Sequence, residues 1–178
     1  MMTSKDLIAT IRTVPDYPVK GVLFYDVTTL FKNAEALRTI VDMTYELYKD
    51  KGITKVVGIE SRGFVIGSAL AVKLGAGFVL ARKPGKLPAE AISESYNKEY
   101  GKDTVEIHKD AITPDDVVLV HDDLLATGGT VGAVNRLVRQ FGPKAIYDNF
   151  IIELPALHGR QHIPVGTPVT TLLQLEGE

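Results

Sequence analysis

Asp122 and Asp123, followed by Ala126-Thr127-Gly128-Gly129-Thr130, set two carboxylates beside a small turn rich in hydroxyls and glycine. The apolar run 117–120 before them reads as a buried parallel strand that stops at the acids. After them Val134, Leu137, Val138 and Phe141 fall at helical spacing, with a helix starting at Val131 and Gly142 as its stop. Residues 126–130 are therefore a strand-to-helix turn. Such a turn gathers free backbone N–H groups at the positive end of a helix dipole. Gly128 and Gly129 let the backbone approach a ligand, and Thr127 and Thr130 add hydroxyl donors. A phosphate monoester would fit such a turn. The acids would repel more phosphate unless they face a sugar diol or magnesium, which suits carboxylate oxygens. The pattern points to a ribose 5-phosphate. A structural glycine turn is the plain alternative, and the paired acids and both threonines weigh against it. Neither G-x-x-x-x-G-K-[ST] nor G-x-G-x-x-G occurs in the chain.

A second set of candidates is cationic. Arg62, Arg82, Lys83 and Lys86 lie on two short segments of a chain whose formal net charge is −2. Arginine offers a bidentate fork to phosphate oxygens and lysine a mobile point charge, so the four suit a diphosphate whose charge grows as it leaves. The alternative is ordinary solvated surface charge.

The elements that must position these groups follow from periodicity. Thr3 and Asp6 form a weak capping-box signal for a first helix through Ile11. Leu37, Ile40, Val41, Leu47 and Tyr48 share one face of a helix over 35–49, before Gly52. Residues 55–59 read as a strand, 64–74 as a helix ending at Gly75, 78–81 as a short strand, and 145–152 as another. Alternating strands and helices predict an α/β fold with a central, mostly parallel sheet and helices on both faces. Ligands bind such sheets at the carboxyl ends of the strands. Glu60-Ser61-Arg62-Gly63, Arg82-Lys83-Pro84-Gly85-Lys86 and the 122–130 segment each follow a strand end, so three segments distant in sequence are expected to converge. Residues 86–109 are polar and aperiodic, which suggests a functional lid, a β-hairpin on the sheet edge, or both.

Bulk properties narrow the class. At 178 residues and 45% hydrophobic composition the chain suits one domain. Twenty basic against twenty-two acidic residues leave no global basic field for nucleic acid or an anionic membrane. No cysteine is present, which excludes disulfides and thiol nucleophiles, so any metal would have oxygen ligands. No window approaches the ~20 apolar residues of a membrane span, and the N-terminus shows no apolar leader. A cytoplasmic protein is expected.

The segment Asp-Asp-Leu-Leu-Ala-Thr-Gly-Gly-Thr at 122–130 resembles the phosphoribosyl-diphosphate signature of the type I phosphoribosyltransferases. Ala126 is similar to the adenine-specific members, where 6-oxopurine transferases carry aspartate. Glu-Ser-Arg-Gly-Phe at 60–64, Arg-Lys-Pro-Gly-Lys-Leu-Pro at 82–88, Ser-Tyr-Asn-Lys-Glu-Tyr-Gly at 95–101 and Pro-Val-Lys-Gly-Val-Leu-Phe-Tyr-Asp at 18–26 extend the resemblance over about residues 15–160.

The resemblance implies the type I phosphoribosyltransferase fold as a single domain over 1–178, with a small hood at about 14–33 and a mobile catalytic lid at about 87–108. It implies transfer of the 5-phosphoribosyl group from 5-phosphoribosyl 1-diphosphate to adenine, giving AMP and diphosphate in purine salvage. Mg²⁺ would be held through substrate and water, with Asp122 and Asp123 as the protein carboxylates. Asp122, Asp123, Ala126, Thr127, Gly128, Gly129 and Thr130 would hold the phosphoribosyl group, and Arg62, Arg82, Lys83 and Lys86 the diphosphate. Phe24 and Leu124 would sandwich adenine, with the backbone of Leu23 and Tyr25 reading its edge. Relatives often carry arginine in place of Tyr25, which concerns how that loop is anchored. Glu99 would manage the proton at the purine edge, Tyr100 would shield the site and Arg62 would stabilise the leaving group. A non-proline cis peptide at Glu60-Ser61 and a homodimer are also implied. His121 replaces an aliphatic residue and reads as structural. A nucleotide sensor on the same fold is the competing class, but the lid segment and the lack of a basic face weigh against it.

Overall fold

The Thr3 hydroxyl accepts from Asp6 N at 3.3 Å and the Asp6 carboxylate from Thr3 N at 2.8 Å, so the expected capping box forms. In the computed structural model, which describes residues 2–98 and 101–176, this box opens α1 (Ser4–Thr10). Two short strands that hydrophobic periodicity does not signal come next, β1 (Arg12–Pro15) and β2 (Leu23–Asp26), paired antiparallel, then the single-turn α2 (Thr28–Phe31). Both strands are only partly buried or exposed, so they carry no strong alternation.

Asn33 caps α3 (Ala34–Tyr48) by accepting from Glu35 N and Ala36 N. β3 (Lys55–Ile59), α4 (Gly63–Leu74) and β4 (Gly77–Ala81) lie within a residue of their expected bounds, and the left-handed Gly75 closes α4. The polar stretch contains an antiparallel hairpin, β5 (Ala91–Lys98) and β6 (Gly101–His108), attached to the end of β4 by an Arg82–Glu106 bridge. β7 (Val117–Leu125), α5 (Gly129–Gln140), β8 (Ala145–Glu153) and β9 (Val169–Gln174) complete the chain. Two 3₁₀ turns, Pro155–Leu157 and Gly159–His162, join β8 to β9.

Five strands form one wholly parallel sheet in the order β4-β3-β7-β8-β9. β3 and the first half of β7, at the centre, read as nearly continuous apolar runs because both faces are covered. On one face Val57, Val118 and Val120 pack with Val134 and Leu137 of α5 and Ile107 of the hairpin. On the other, Ile151 and Leu173 pack with Ile40 and Ile66, and Leu119 with Tyr48 and Leu70, which belong to α3 and α4. Among the described residues no helix is long and apolar enough to cross a membrane.

One boundary differs from expectation in a way that bears on function. β7 does not stop at the acids but runs through them to Leu125, and α5 begins at Gly129 rather than Val131. The ladder with β8 continues as Asp122↔Phe150 and Leu124↔Ile152. Main-chain pairing satisfies backbone groups whatever the side chain, so polarity in the sequence did not mark the strand's end.

Candidate active site at the carboxyl edge of the sheet

Register brings the three chemistry-bearing segments together. Gly58 of β3 lies opposite His121 of β7, and Ile59 opposite Ala81 of β4. The residues that follow, Glu60 to Arg62, Arg82 and Asp122 to Asp123, therefore share one edge. The Glu60–Ser61 peptide is cis, as the resemblance implies.

The two acids occupy different environments. Asp123 is 3% exposed and accepts from Arg62 Nε at 2.5 Å. Burial opposes the Arg62 charge, but Asp123, then Asp122 and Asp26, hold its pKa above the usual guanidinium value. Asp122 accepts from the backbone N–H of Asp123 at 2.9 Å. Burial, followed by the charge of Asp123, raises the Asp122 carboxyl well above the ordinary carboxylate range. Asp123 is thus bonded to the arginine, and the Asp122 carboxyl beside it is placed to meet a hydroxyl or cation. Gly63 permits this packing, since a Cβ there would lie 2.7 Å from the His121 carbonyl and 3.1 Å from Asp122 Oδ1.

The 126–130 turn leaves β7 and opens α5 with Gly128 in the left-handed region at φ 81°, and no side chain caps the helix. A Cβ on Gly128 would meet the Gly159 carbonyl at 2.1 Å, so steric contact and backbone conformation both demand glycine. The 3₁₀ segment that presses on the turn is itself anchored. Arg160 donates through Nε and Nη2 to Glu153 at 2.6 and 2.7 Å, and Thr171 and Gln174 donate to the same carboxylate. The Arg160 hydrogen bond leads in holding the Glu153 pKa below its ordinary value. A cavity of about 90 Å³ opens on the turn, bounded by Asp122, Leu124 and Thr127 to Thr130 among others. A larger one of about 500 Å³ lies between 142–147 and 166–168, away from these groups.

The expected four-cation cluster is only partly available as bare charge. Arg82 pairs with Glu60 at 3.3 Å, and Glu60 also accepts from Lys83 N at 2.8 Å. Burial opposes ionisation of Glu60, yet these donors keep its pKa below the usual value. The Lys83 ammonium pairs with Asp103, and Lys86 makes no ion pair among the described residues. Sequence reasoning missed Asp103, because its meeting with Lys83 depends on hairpin register that an aperiodic segment does not reveal.

On the other side of Arg62 stands Phe24. The guanidinium carbon lies 5.5 Å from the centre of its ring, and Tyr17 approaches edge-on with centroids 5.1 Å apart. Leu23, Phe24 and Tyr25 are all partly buried, and Phe24 belongs to no core cluster. The Tyr25 hydroxyl donates to the Glu176 carbonyl at 2.6 Å and so ties β2 to the chain's far end. At the end of β2, the Thr28 hydroxyl and Arg12 hold the Asp26 pKa down to about 2. Leu124 is partly buried beside the turn. Glu99 and Tyr100 lie outside the described residues. His121 is fully buried with Nδ1 at 2.9 Å from Asn149 Oδ1, and burial pushes its pKa down to about 4.

A parallel sheet carrying an acid pair and a glycine turn at its carboxyl edge defines a class, and comparison with known proteins agrees. The phosphoribosyl transferase domain family matches residues 26–162. An adenine phosphoribosyltransferase of Phocaeicola vulgatus is 64% identical over 98% of this chain and 100% of its own. The crystal structure of an adenine phosphoribosyltransferase from Rhodothermus marinus superposes with a TM-score of 0.91 at 50% identity, covering 97% of this chain and 98% of that one. A Giardia lamblia relative crystallised with 9-deazaadenine gives 0.92 at 42% identity, covering 99% of each chain. The chain belongs to the phosphoribosyl transferase family, and within it to the adenine phosphoribosyltransferases.

Proposed function

We infer that this protein transfers the 5-phosphoribosyl group from 5-phosphoribosyl 1-diphosphate to adenine, releasing diphosphate and forming AMP, a step of purine salvage. The observation that carries the reading is Arg62, whose guanidinium lies against Phe24 on one side and bonds Asp123 on the other. One residue thereby joins a surface suited to a flat base to one suited to a ribose phosphate. Ala126 in the turn, in place of an acid, supports a 6-aminopurine.

In this reading the backbone of 127–130 and the two threonine hydroxyls bind the 5′-phosphate, and Asp122 and Asp123 border the ribose hydroxyls. Adenine lies between Phe24 and Leu124, with the main chain of Leu23 and Tyr25 at its edge. Attack of adenine N9 on the sugar C1 breaks the bond to diphosphate through a cation-like ribose. The negative charge that develops on the leaving group falls to Arg62, Arg82, Lys83 and Lys86. Of these, Lys83 and Arg82 must exchange protein carboxylates for diphosphate oxygens. Glu99, with Tyr100 beside it, is the proposed group for the proton at the purine edge.

Asp122, on the cavity of the turn, with Asp123 next to it held on Arg62, fits magnesium, which favours one or two carboxylates with substrate oxygens and retained waters. The ion, when bound, would neutralise diphosphate charge. We propose that the chain works as one domain over 1–178, with a hood at about 14–33 and a lid at about 87–108, as a cytoplasmic homodimer. The test is turnover of a base panel with phosphoribosyl diphosphate and magnesium. Adenine should react fastest, and preference for hypoxanthine, guanine or xanthine would overturn the reading. Light scattering reads the oligomeric state.

A further inference from the structure

Tyr96 of the hairpin stem reaches the phosphate turn. It is 8% exposed, its ring packs on Gly129 so closely that a Cβ there would lie 3.1 Å from it, and its hydroxyl is 2.8 Å from Thr130 Oγ1. The same hydroxyl donates to Asp103 Oδ2 at 3.1 Å, directly across the hairpin. Asp103 Oδ2 also carries the Lys83 ammonium.

The direction of these bonds follows from counting protons. An ionised carboxylate only accepts, so the one phenolic proton of Tyr96 goes to Asp103. The bond to Thr130 must then run from the threonine O–H to the tyrosine oxygen. In that state Thr130 turns lone pairs, not a proton, toward the turn. A phosphate dianion needs the proton. If Thr130 donates to a phosphate oxygen, its own lone pair can accept from Tyr96, whose proton leaves Asp103.

We propose that Asp103, acting through Tyr96, sets the direction of the Thr130 hydroxyl and holds the cradle against phosphate until the relay reverses. Tyr96 and Asp103 are positioning residues in this scheme, which rests on the reading that the 127–130 turn binds the 5′-phosphate. The arrangement links occupancy of the turn to the hairpin without any change in the core.

The test is calorimetric titration of ribose 5-phosphate into the wild type, Asp103→Asn, Tyr96→Phe and the double variant. A neutral amide oxygen accepts more weakly than an ionised carboxylate, so in Asp103→Asn the Tyr96 proton turns more readily to Thr130, and binding should be about three- to tenfold tighter, the worth of one hydrogen bond. That gain should disappear in the Tyr96→Phe background. A weaker or unchanged Asp103→Asn overturns the proposal, and so does a gain that persists without the tyrosine hydroxyl, since loss of a negative charge alone would produce it. Should Tyr96→Phe fail to fold, the Asp103→Asn gain is measured again as salt rises from roughly 0.05 to 0.5 M, which screens charge acting through space. Survival supports the relay and disappearance overturns it. A wild type that ignores ribose 5-phosphate would instead sink the functional reading itself.

Discussion

Arg62 Nε lies 2.5 Å from Asp123 Oδ2, and of the two only the arginine reaches solvent, with 41% of its side chain exposed against 5% for the aspartate. The buried partner therefore sets the position of the exposed one. Removing the aspartate charge leaves an arginine free to wander from Phe24 and, in the proposed reaction, from the leaving group, while a ring contact alone is worth about 0.5–1 kcal/mol at an exposed site.

Asp123→Asn should accordingly lower kcat/KM by at least about tenfold, the cost of a charge-assisted hydrogen bond of roughly 1.5–3 kcal/mol. Steady-state kinetics with phosphoribosyl diphosphate as the varied substrate measures it. An unchanged kcat/KM would remove the pair from the mechanism.

Glu99→Gln keeps volume and removes the capacity to take a proton. kcat should fall by about a hundredfold, in the range of general acid–base contributions, while the affinity for phosphoribosyl diphosphate stays nearly constant. Single-turnover rates beside equilibrium binding separate the two.

Gly128→Ala meets both obstacles already described, a left-handed φ and a carbonyl at 2.1 Å from its new methyl group. Destabilisation by more than about 2 kcal/mol is expected from the strain and the clash together. Denaturant unfolding gives the number, and any folded fraction should bind ribose 5-phosphate poorly because the turn cannot keep its shape.

Between about pH 4.5 and 6.5 buried groups pull stability in opposite directions, His121 against Asp148 and the raised Asp122. Burial lowers the His121 pKa to about 4, so the unfolded chain binds the extra proton and stability rises with pH. Burial raises the Asp148 pKa to about 7 despite its bonds from Asn135, so the folded chain binds the extra proton and stability falls with pH. Each slope is at most about 1.4 kcal/mol per pH unit. Asp148→Asn removes its own falling term, and its unfolding free energy relative to the wild type should climb by about that slope across the window. Urea titrations at several pH values test the sign; a flat difference would contradict it.

Much of this protein is legible in its residues taken in order. The apolar runs at 55–59 and 117–120 and the helical spacing after Val131 predicted a parallel sheet, because burial on both faces leaves a local mark on composition. Gly128, Gly129 and the flanking threonines announced the strand-to-helix turn because its residues are contiguous along the chain. What chain order could not settle is which charges meet. The acids look alike in sequence, yet register places Asp123 on Arg62 and leaves Asp122 with a raised pKa. Arg82 and Lys83 look like free cations until the fold brings Glu60 and Asp103 to them. Tyr96 and Asp103 sit in a polar stretch without period, and only hairpin pairing and packing of that hairpin on α5 set a hydroxyl against Thr130. Local sequence determines backbone conformation, the near-neighbour caps and which residue types are on offer, whereas partnership between charges far apart in the chain needs them within hydrogen-bond reach and so belongs to the tertiary structure.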